Sequence, residues 1–190
     1  MENIRDYIEK TVIIDETDWQ LFASKLVRRS FKKKTNILQV GTNENYISFI
    51  VKGVARFLIP KEDEEKEITF GFCFENEFIS AYDSFLTQEP SLYSIQALTD
   101  ITMWSISHQD IQEIYSKSLV GNTIGRLSSE RLYLIKSKRE QSLLNETAEQ
   151  RYLNLFTERP NLIKEIPLKY IASYIGVTAQ ALSRIRKRIS

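Results

Sequence analysis

Cysteine and histidine are almost missing from this chain: Cys73 and His108 are the single examples of each among 190 residues. A lone thiol excludes an internal disulfide, and one Cys with one His cannot build an ordinary four-ligand zinc site or a cysteine-held iron–sulfur cluster. No cofactor and no bound metal are therefore expected. Long apolar runs are missing too, since none approaches the roughly 18 residues that suggest a membrane span. The opening residues, MENIRDYIEK, lack the apolar segment of a signal peptide, so a cytoplasmic protein with no membrane partner is expected. Net charge is also small, at +1.

That near-neutral sum hides an uneven distribution. Residues 167–190 hold Lys169, Arg184, Arg186, Lys187 and Arg188 and no acid, which leaves 21 basic and 25 acidic groups in the preceding 166 residues. A basic end on a mildly acidic body suits a polyanion-binding module attached to something with another task. Within that end, Ile171, Ala172, Ile175, Gly176, Val177, Leu182 and Ile185 place apolar or small side chains where two short helices cross and turn, the layout of a helix-turn-helix. Pro167 suits a helix start, Gly176 can take the positive φ that ends the first helix, and Thr178 can cap the second.

The second helix, 178–189, is expected to bury Leu182, Ile185 and Ile189. Ala179, Gln180, Ser183, Arg184, Lys187 and Arg188 are then left facing outward, with Lys169 and Thr178 nearby. Glutamine can pair with an adenine edge, arginine with guanine, and further cations with phosphates, so double-stranded DNA is the expected partner. A packed helical pair with a solvated basic tail is the plainer alternative, since Lys and Arg favour helix C-termini in any case.

The rest of the chain is expected to carry this reader. Residues 2–27 have helical spacing in Ile4, Ile8, Trp19, Phe22, Ala23 and Leu26, with Asp15 or Thr17 as a cap. The cluster Lys25, Arg28, Arg29, Lys32, Lys33 and Lys34 reads as a solvated strand face. Short β-type runs follow at 37–40, 46–52, 54–59, 68–74, 78–85, 93–98 and 101–106, separated by turn-forming residues, which predicts a sandwich or barrel. The acidic run 62–65 reads as a hairpin tip, and Cys73 as a small buried strand residue.

Beyond 106 the period is helical again, first to about 116 with Ser107 as cap, then along 119–145. About 25 residues at 1.5 Å each span roughly 38 Å, too long for one small barrel to cover, so a second copy is the expected cover. Arg131 and Lys138 interrupt any strict heptad. Thr147-Ala-Glu-Gln150 has capping-box spacing and should open a helix to about 158, ended by Pro160.

A β-roll, a long helix and a C-terminal helix-turn-helix, with 171-IASYIGVT-178 followed by 180-QALSRIR-186, resemble the cyclic AMP receptor protein and FNR (Crp/Fnr) superfamily of transcription regulators. The resemblance implies an α+β chain: residues 1–118 a cyclic-nucleotide-binding-like β-roll (jelly roll) with flanking helices, 119–145 a long dimerisation helix, and 146–190 a helix-turn-helix DNA-binding domain. It implies a homodimeric regulator, not an enzyme, whose partners are DNA, itself, RNA polymerase, and an unknown small-molecule effector or none. Ser183 and Arg184 match the family's Glu-x-x-Ser-Arg, whereas Gln180 replaces its acid and shifts base preference from cytosine toward adenine. Family members usually carry wing strands after this helix; here the wing is either reduced to the segment before Leu168 or lies past Ser190.

The effector end departs further. Phe78, Ser80, Ala81, Tyr82, Ser91 and Leu92 fall where the resemblance puts the ligand pocket, but Ala81 stands where an acid holds the ribose and Ser91 where an arginine holds the phosphate. Without that guanidinium, cyclic nucleotide binding by the usual contacts is not expected. The alternatives are a cupin-like small-molecule enzyme, which the single His disfavours, and a ligand-binding β-roll that has lost DNA binding.

Overall fold

The computed structural model describes residues 2–63 and 66–189; Met1, Glu64 and Glu65 of the acidic run, and Ser190 lie outside the described residues. The short β-type runs become strands β1 (Val27–Phe31), β2 (Asn36–Leu38), β3 (Tyr46–Lys52), β4 (Ala55–Ile59), β5 (Ile68–Cys73), β6 (Phe78–Ile79), β7 (Ser94–Ala97) and β8 (Ile101–Ser107). Helices are α1 (Glu2–Glu9), α2 (Glu16–Ser24), α3 (Tyr82–Thr87), α4 (His108–Lys117), α5 (Leu119–Asn145), α6 (Ala148–Glu158), α7 (Pro160–Glu165), α8 (Leu168–Tyr174) and α9 (Ala179–Ile189).

By internal contacts the chain divides into two units, Met1–Pro60 with Gly71–Ser129, and Lys61–Phe70 with Glu130–Ser190. In the first unit two four-stranded sheets, ordered β1-β8-β3-β6 and β2-β7-β4-β5, form the roll. β8 sits between β1 and β3 in antiparallel register, with Val27 opposite Ser105 and Tyr46 opposite Ser107. Ile50, Ala55, Ala81, Ile95, Ala97 and Met103 fill the space between the sheets, all closed to solvent. A second cluster joins Ile4, Ile8, Trp19 and Phe22 of α1 and α2 to Phe49, Phe85, Ile106, Ile111 and Ile114, so the N-terminal helices do serve as a cover. Gly53 makes the β3–β4 turn at φ +104°, where a Cβ would lie 2.5 Å from the Asp100 carbonyl oxygen.

The helical segment 2–27 is two helices and a strand. Asp15 caps α2 through the Asp18 N–H, and β1 begins at Val27. Of the basic cluster only Arg28 and Arg29 lie on β1; Lys25 before it meets Asp110 and Glu113, and Lys32 after it meets Asp100. The run 78–85, expected as one strand, is strand only at Phe78–Ile79 and then turns into α3, whose C-cap Gln88 lies in the left-handed region at φ 57°. Tyr82 and Phe85 stack one turn apart, a spacing a short apolar run does not distinguish from a strand.

In the second unit Thr147 and Gln150 close the expected capping box on α6. α6 ends at Glu158, just before Pro160, as expected, and Pro160 also opens a further short helix, α7, at the first helical position, where its missing N–H costs nothing. Tyr152, Leu155, Leu162, Ile166, Ile171, Ala172, Ile175, Leu182 and Ile185 form this unit's buried core. The 61–70 segment joins it because Ser173 accepts the Thr69 N–H at 2.8 Å and donates its hydroxyl to the Glu67 carbonyl. Residues 146–189 contain no strand, so no wing precedes Leu168 within them. Among the described residues no helix is long and apolar enough to cross a membrane, and no group of His, Cys, Asp or Glu could hold a metal ion.

Candidate nucleic-acid interface

α8 ends in a Schellman turn. The Val177 N–H bonds the Ala172 carbonyl at 2.9 Å, the Gly176 N–H bonds the Ser173 carbonyl at 3.0 Å, and Gly176 takes φ +81°. Thr178 then starts α9, accepting the Ala181 N–H on its hydroxyl and the Leu182 N–H on its carbonyl. Ile171, Ala172, Ile175, Leu182 and Ile185 pin the two helices together from the inside.

Two arginines absent from the sequence reading fasten this turn. Arg151 on α6 donates its Nε to the Ile175 carbonyl at 2.8 Å and Nη1 to the Glu146 carbonyl. Arg139 on α5 donates to the Tyr174 carbonyl at 2.7 Å, with its guanidinium 3.9 Å from the centre of the Tyr174 ring. Both guanidinium groups occupy carbonyls that the end of α8 leaves without helical partners. Burial pushes the Arg139 guanidinium below its ordinary value, though it stays charged. These contacts join residues 35 and 24 positions apart, which no local pattern announces.

At about 100° per residue, Leu182, Ile185 and Ile189 point inward, and Gln180, Ser183, Arg184 and Lys187 share the opposite face within a roughly 100° arc. The structure exposes all four, and they make no hydrogen bond or ion pair within the described residues. Ala179 is exposed at the flank. Thr178 is exposed while capping, and Lys169 is exposed over the Tyr170 ring. Arg188 sits on the other flank and is held by Glu149 of α6 at 2.6 Å, so it starts out paired. Ile189 is only half-buried, contrary to expectation; with Tyr152, Phe156, Ile163 and Arg186 it lines a cleft of about 240 Å³. The face can do what groove recognition asks, offering an amide, a hydroxyl, a guanidinium and an ammonium on one rigid helix.

The six residues assigned to a ligand pocket are placed differently from one another. Ala81 and Ser91 are buried, whereas Leu92 is 80% exposed. Phe78 packs edge-on against Tyr7 and Phe49. The Ser80 hydroxyl donates to the Tyr46 carbonyl, Tyr82 shares a hydrogen bond with Ser129, and the Ser91 hydroxyl donates to the Tyr93 carbonyl.

Known proteins match this arrangement. The cyclic nucleotide-binding domain family matches residues 28–118. The CRP-like protein Clp of Xanthomonas campestris pv. campestris is 19% identical over 109 residues, 57% of this chain and 47% of its own length. The chain thus spans about half the length of the curated relatives it matches. Among solved structures, the c-di-GMP responsive global regulator CLP of Xanthomonas campestris superposes with a TM-score of 0.68 at 17% identity, covering 92% of this chain and 91% of that one. FixK2 from Bradyrhizobium japonicum gives 0.70 at 14% identity, covering 86% and 84%. Residues 28–118 thus match the cyclic nucleotide-binding domain family, and roll, long helix and terminal helix pair together share the fold of these solved structures.

Proposed function

We propose that the protein is a transcription regulator that binds double-stranded DNA sequence-specifically as a homodimer, through α9. The observation that carries this is the unpaired face Gln180, Ser183, Arg184 and Lys187 on a helix whose opposite face is buried. Gln180 and Arg184 are the base readers, Ser183 a base or phosphate contact, and Lys169, Lys187 and Arg188 phosphate contacts, with Thr178 and Ala179 at the helix entry. The regulators named above support this reading by kind. On it, RNA polymerase is a downstream partner and the protein works in the cytoplasm without catalysing a reaction.

The homodimer rests on α5. Leu119, Tyr133, Leu134, Ile135 and Leu144 are each more than half exposed on this helix. Leu119, Tyr133, Leu134 and Leu144 share an arc of roughly 100°, and a second copy laid along it would cover them, at roughly 25 cal/mol per Å² of apolar surface removed from water. Two copies of α9 would then meet half-sites about 34 Å apart, one helical turn of DNA, and read a near-palindrome.

The test is selection of genomic fragments on the purified protein, followed by affinity measured against salt. A recovered near-palindrome, with affinity falling linearly in log–log against salt as phosphate contacts require, is the expected result. Recovery of unrelated fragments, or an affinity indifferent to salt, would remove the reading.

A further inference from the structure

The segment that holds the ligand in a nucleotide-binding roll is here tied down by the chain itself. The β2–β3 loop runs beside residues 80–91 and bonds them at successive points. The Gly41 N–H donates to the Ser91 carbonyl at 2.8 Å, and the Ser91 N–H donates to the Thr42 carbonyl at 3.0 Å. Asn43 forms a β-bridge with Pro90 and donates its side-chain amide to the Gln88 carbonyl. Next, the Glu44 N–H donates to the Ser84 hydroxyl at 3.0 Å, and the Gln88 amide returns a bond to the Glu44 carbonyl.

The Glu44 side chain completes the clasp. Its residue is 6% exposed, with one carboxylate oxygen accepting the Tyr46 N–H at 3.0 Å and the other the Ala81 N–H at 3.4 Å. A buried carboxylate is costly unless its oxygens are bonded and a cation is near. Arg29 is that cation, lying 4.4 Å from the centre of the Tyr46 ring and stacked on Phe31. Burial pushes the Glu44 carboxyl up from its ordinary range, while the Tyr46 and Ala81 N–H groups and Arg29 pull it back.

We propose that Glu44 is a built-in anion for this roll: its carboxylate and the loop that carries it engage the 80–91 segment in place of a phosphate-bearing effector. The roll therefore stays closed without nucleotide and takes none up. Ala81, where a ribose acid would stand, spends its N–H on Glu44; Ser91, where a phosphate arginine would stand, spends its N–H on Thr42 and its hydroxyl on Tyr93. The consequence for DNA, an affinity that needs no effector, rests on the proposed function; the closure itself does not.

Two readouts separate these. Amide hydrogen exchange over residues 80–91 in the full-length protein should be indifferent to millimolar cyclic AMP, cyclic di-GMP or inorganic phosphate. It should accelerate at least tenfold in Glu44→Gln, which keeps the shape but puts an NH2 group where an acceptor oxygen was. Slowed exchange on adding any of the three probes to the wild type would overturn the proposal, and so would unchanged exchange in Glu44→Gln. Should that variant fail to fold, the wild-type titrations still decide. In parallel, wild-type operator affinity should be the same with and without the probes. If the wild type binds no DNA at all, the DNA reading fails while the exchange result still stands for or against the closed roll.

Discussion

At the scale of single residues, the helix-turn-helix depends on one glycine and two arginines. Gly176 lies at φ +81°, a region that costs an L side chain about 1–2 kcal/mol. Its neighbours Arg151 and Leu143 would stand 3.7 and 3.8 Å from an added Cβ, so space is not the obstacle. Gly176→Ala should therefore destabilise by about 1–2 kcal/mol in denaturant titration, from backbone strain alone. Arg151→Met keeps the stem and removes the donors, leaving the Ile175 carbonyl unpaired; a loss of about 1–3 kcal/mol is expected, with operator affinity falling further than that of a surface control. The positive φ was legible in the sequence because a glycine stood between an apolar helix and a capping threonine. Arg139 and Arg151 were not legible, since what makes them matter is carbonyls supplied from across the unit.

A third residue sets an acid response. Glu113 lies between Lys25 and Lys117, at 2.5 and 2.6 Å, and hydrogen bonds to Lys117 and Lys25 hold its carboxyl down to about 2 from the ordinary 4.5. A carboxyl depressed in the folded state stabilises the fold above pH 4.5, and that contribution disappears as pH falls toward 2. Chemical denaturation at stepped pH should show Glu113→Gln with a flatter acid limb than the wild type. Equal slopes would mean that the two lysines do not hold this carboxyl down in the folded protein.

At the scale of elements, α5 was legible as one helix from Leu119 to Asn145 because its 27 residues carry no proline. Its partner was not legible from periodicity. Leu134 and Ile135 are exposed neighbours, while Lys138 turns away to Glu158 at 2.8 Å, so no heptad repeat emerges. Exposure makes the test clean: Leu134→Asp with Ile135→Asp should leave the circular dichroism of the fold intact, move sedimentation from dimer to monomer, and weaken operator binding at least tenfold through lost avidity. A wild type that sediments as a monomer would remove the dimer. α3 and α7 escaped the sequence reading for a shared reason. Each has six residues, too few for a helical period to show against a short apolar run in one case or after a proline that both follows one helix and starts the next in the other.

At the scale of the whole molecule, order and charge carried most of what could be read. Strand-like runs, then a long helix, then a small helical unit with five cations and no acids in its last 24 residues are visible in the letters alone. The inside of the roll was not, because its contacts join distant segments: Gly41 and Thr42 meet Ser91 through backbone N–H and carbonyl groups, and the Glu44 carboxylate accepts the Ala81 N–H from 37 positions away, which no local pattern announces. The sequence reading named Ala81 and Ser91 as departures from the resemblance, whereas the Glu44 carboxylate beside Ala81 was visible only in the structure.

The central claim is that the outward face of α9 reads DNA sequence, and the affinity of Arg184→Ala tests it most directly, measured on the selected operator and on unrelated duplex at one salt concentration. Losing a base-reading arginine should cost about 1–3 kcal/mol on the operator, roughly 5- to 150-fold, with much less change on unrelated DNA. Equal affinity of wild type and variant for the operator, or an equal loss on both duplexes, would contradict base reading by α9.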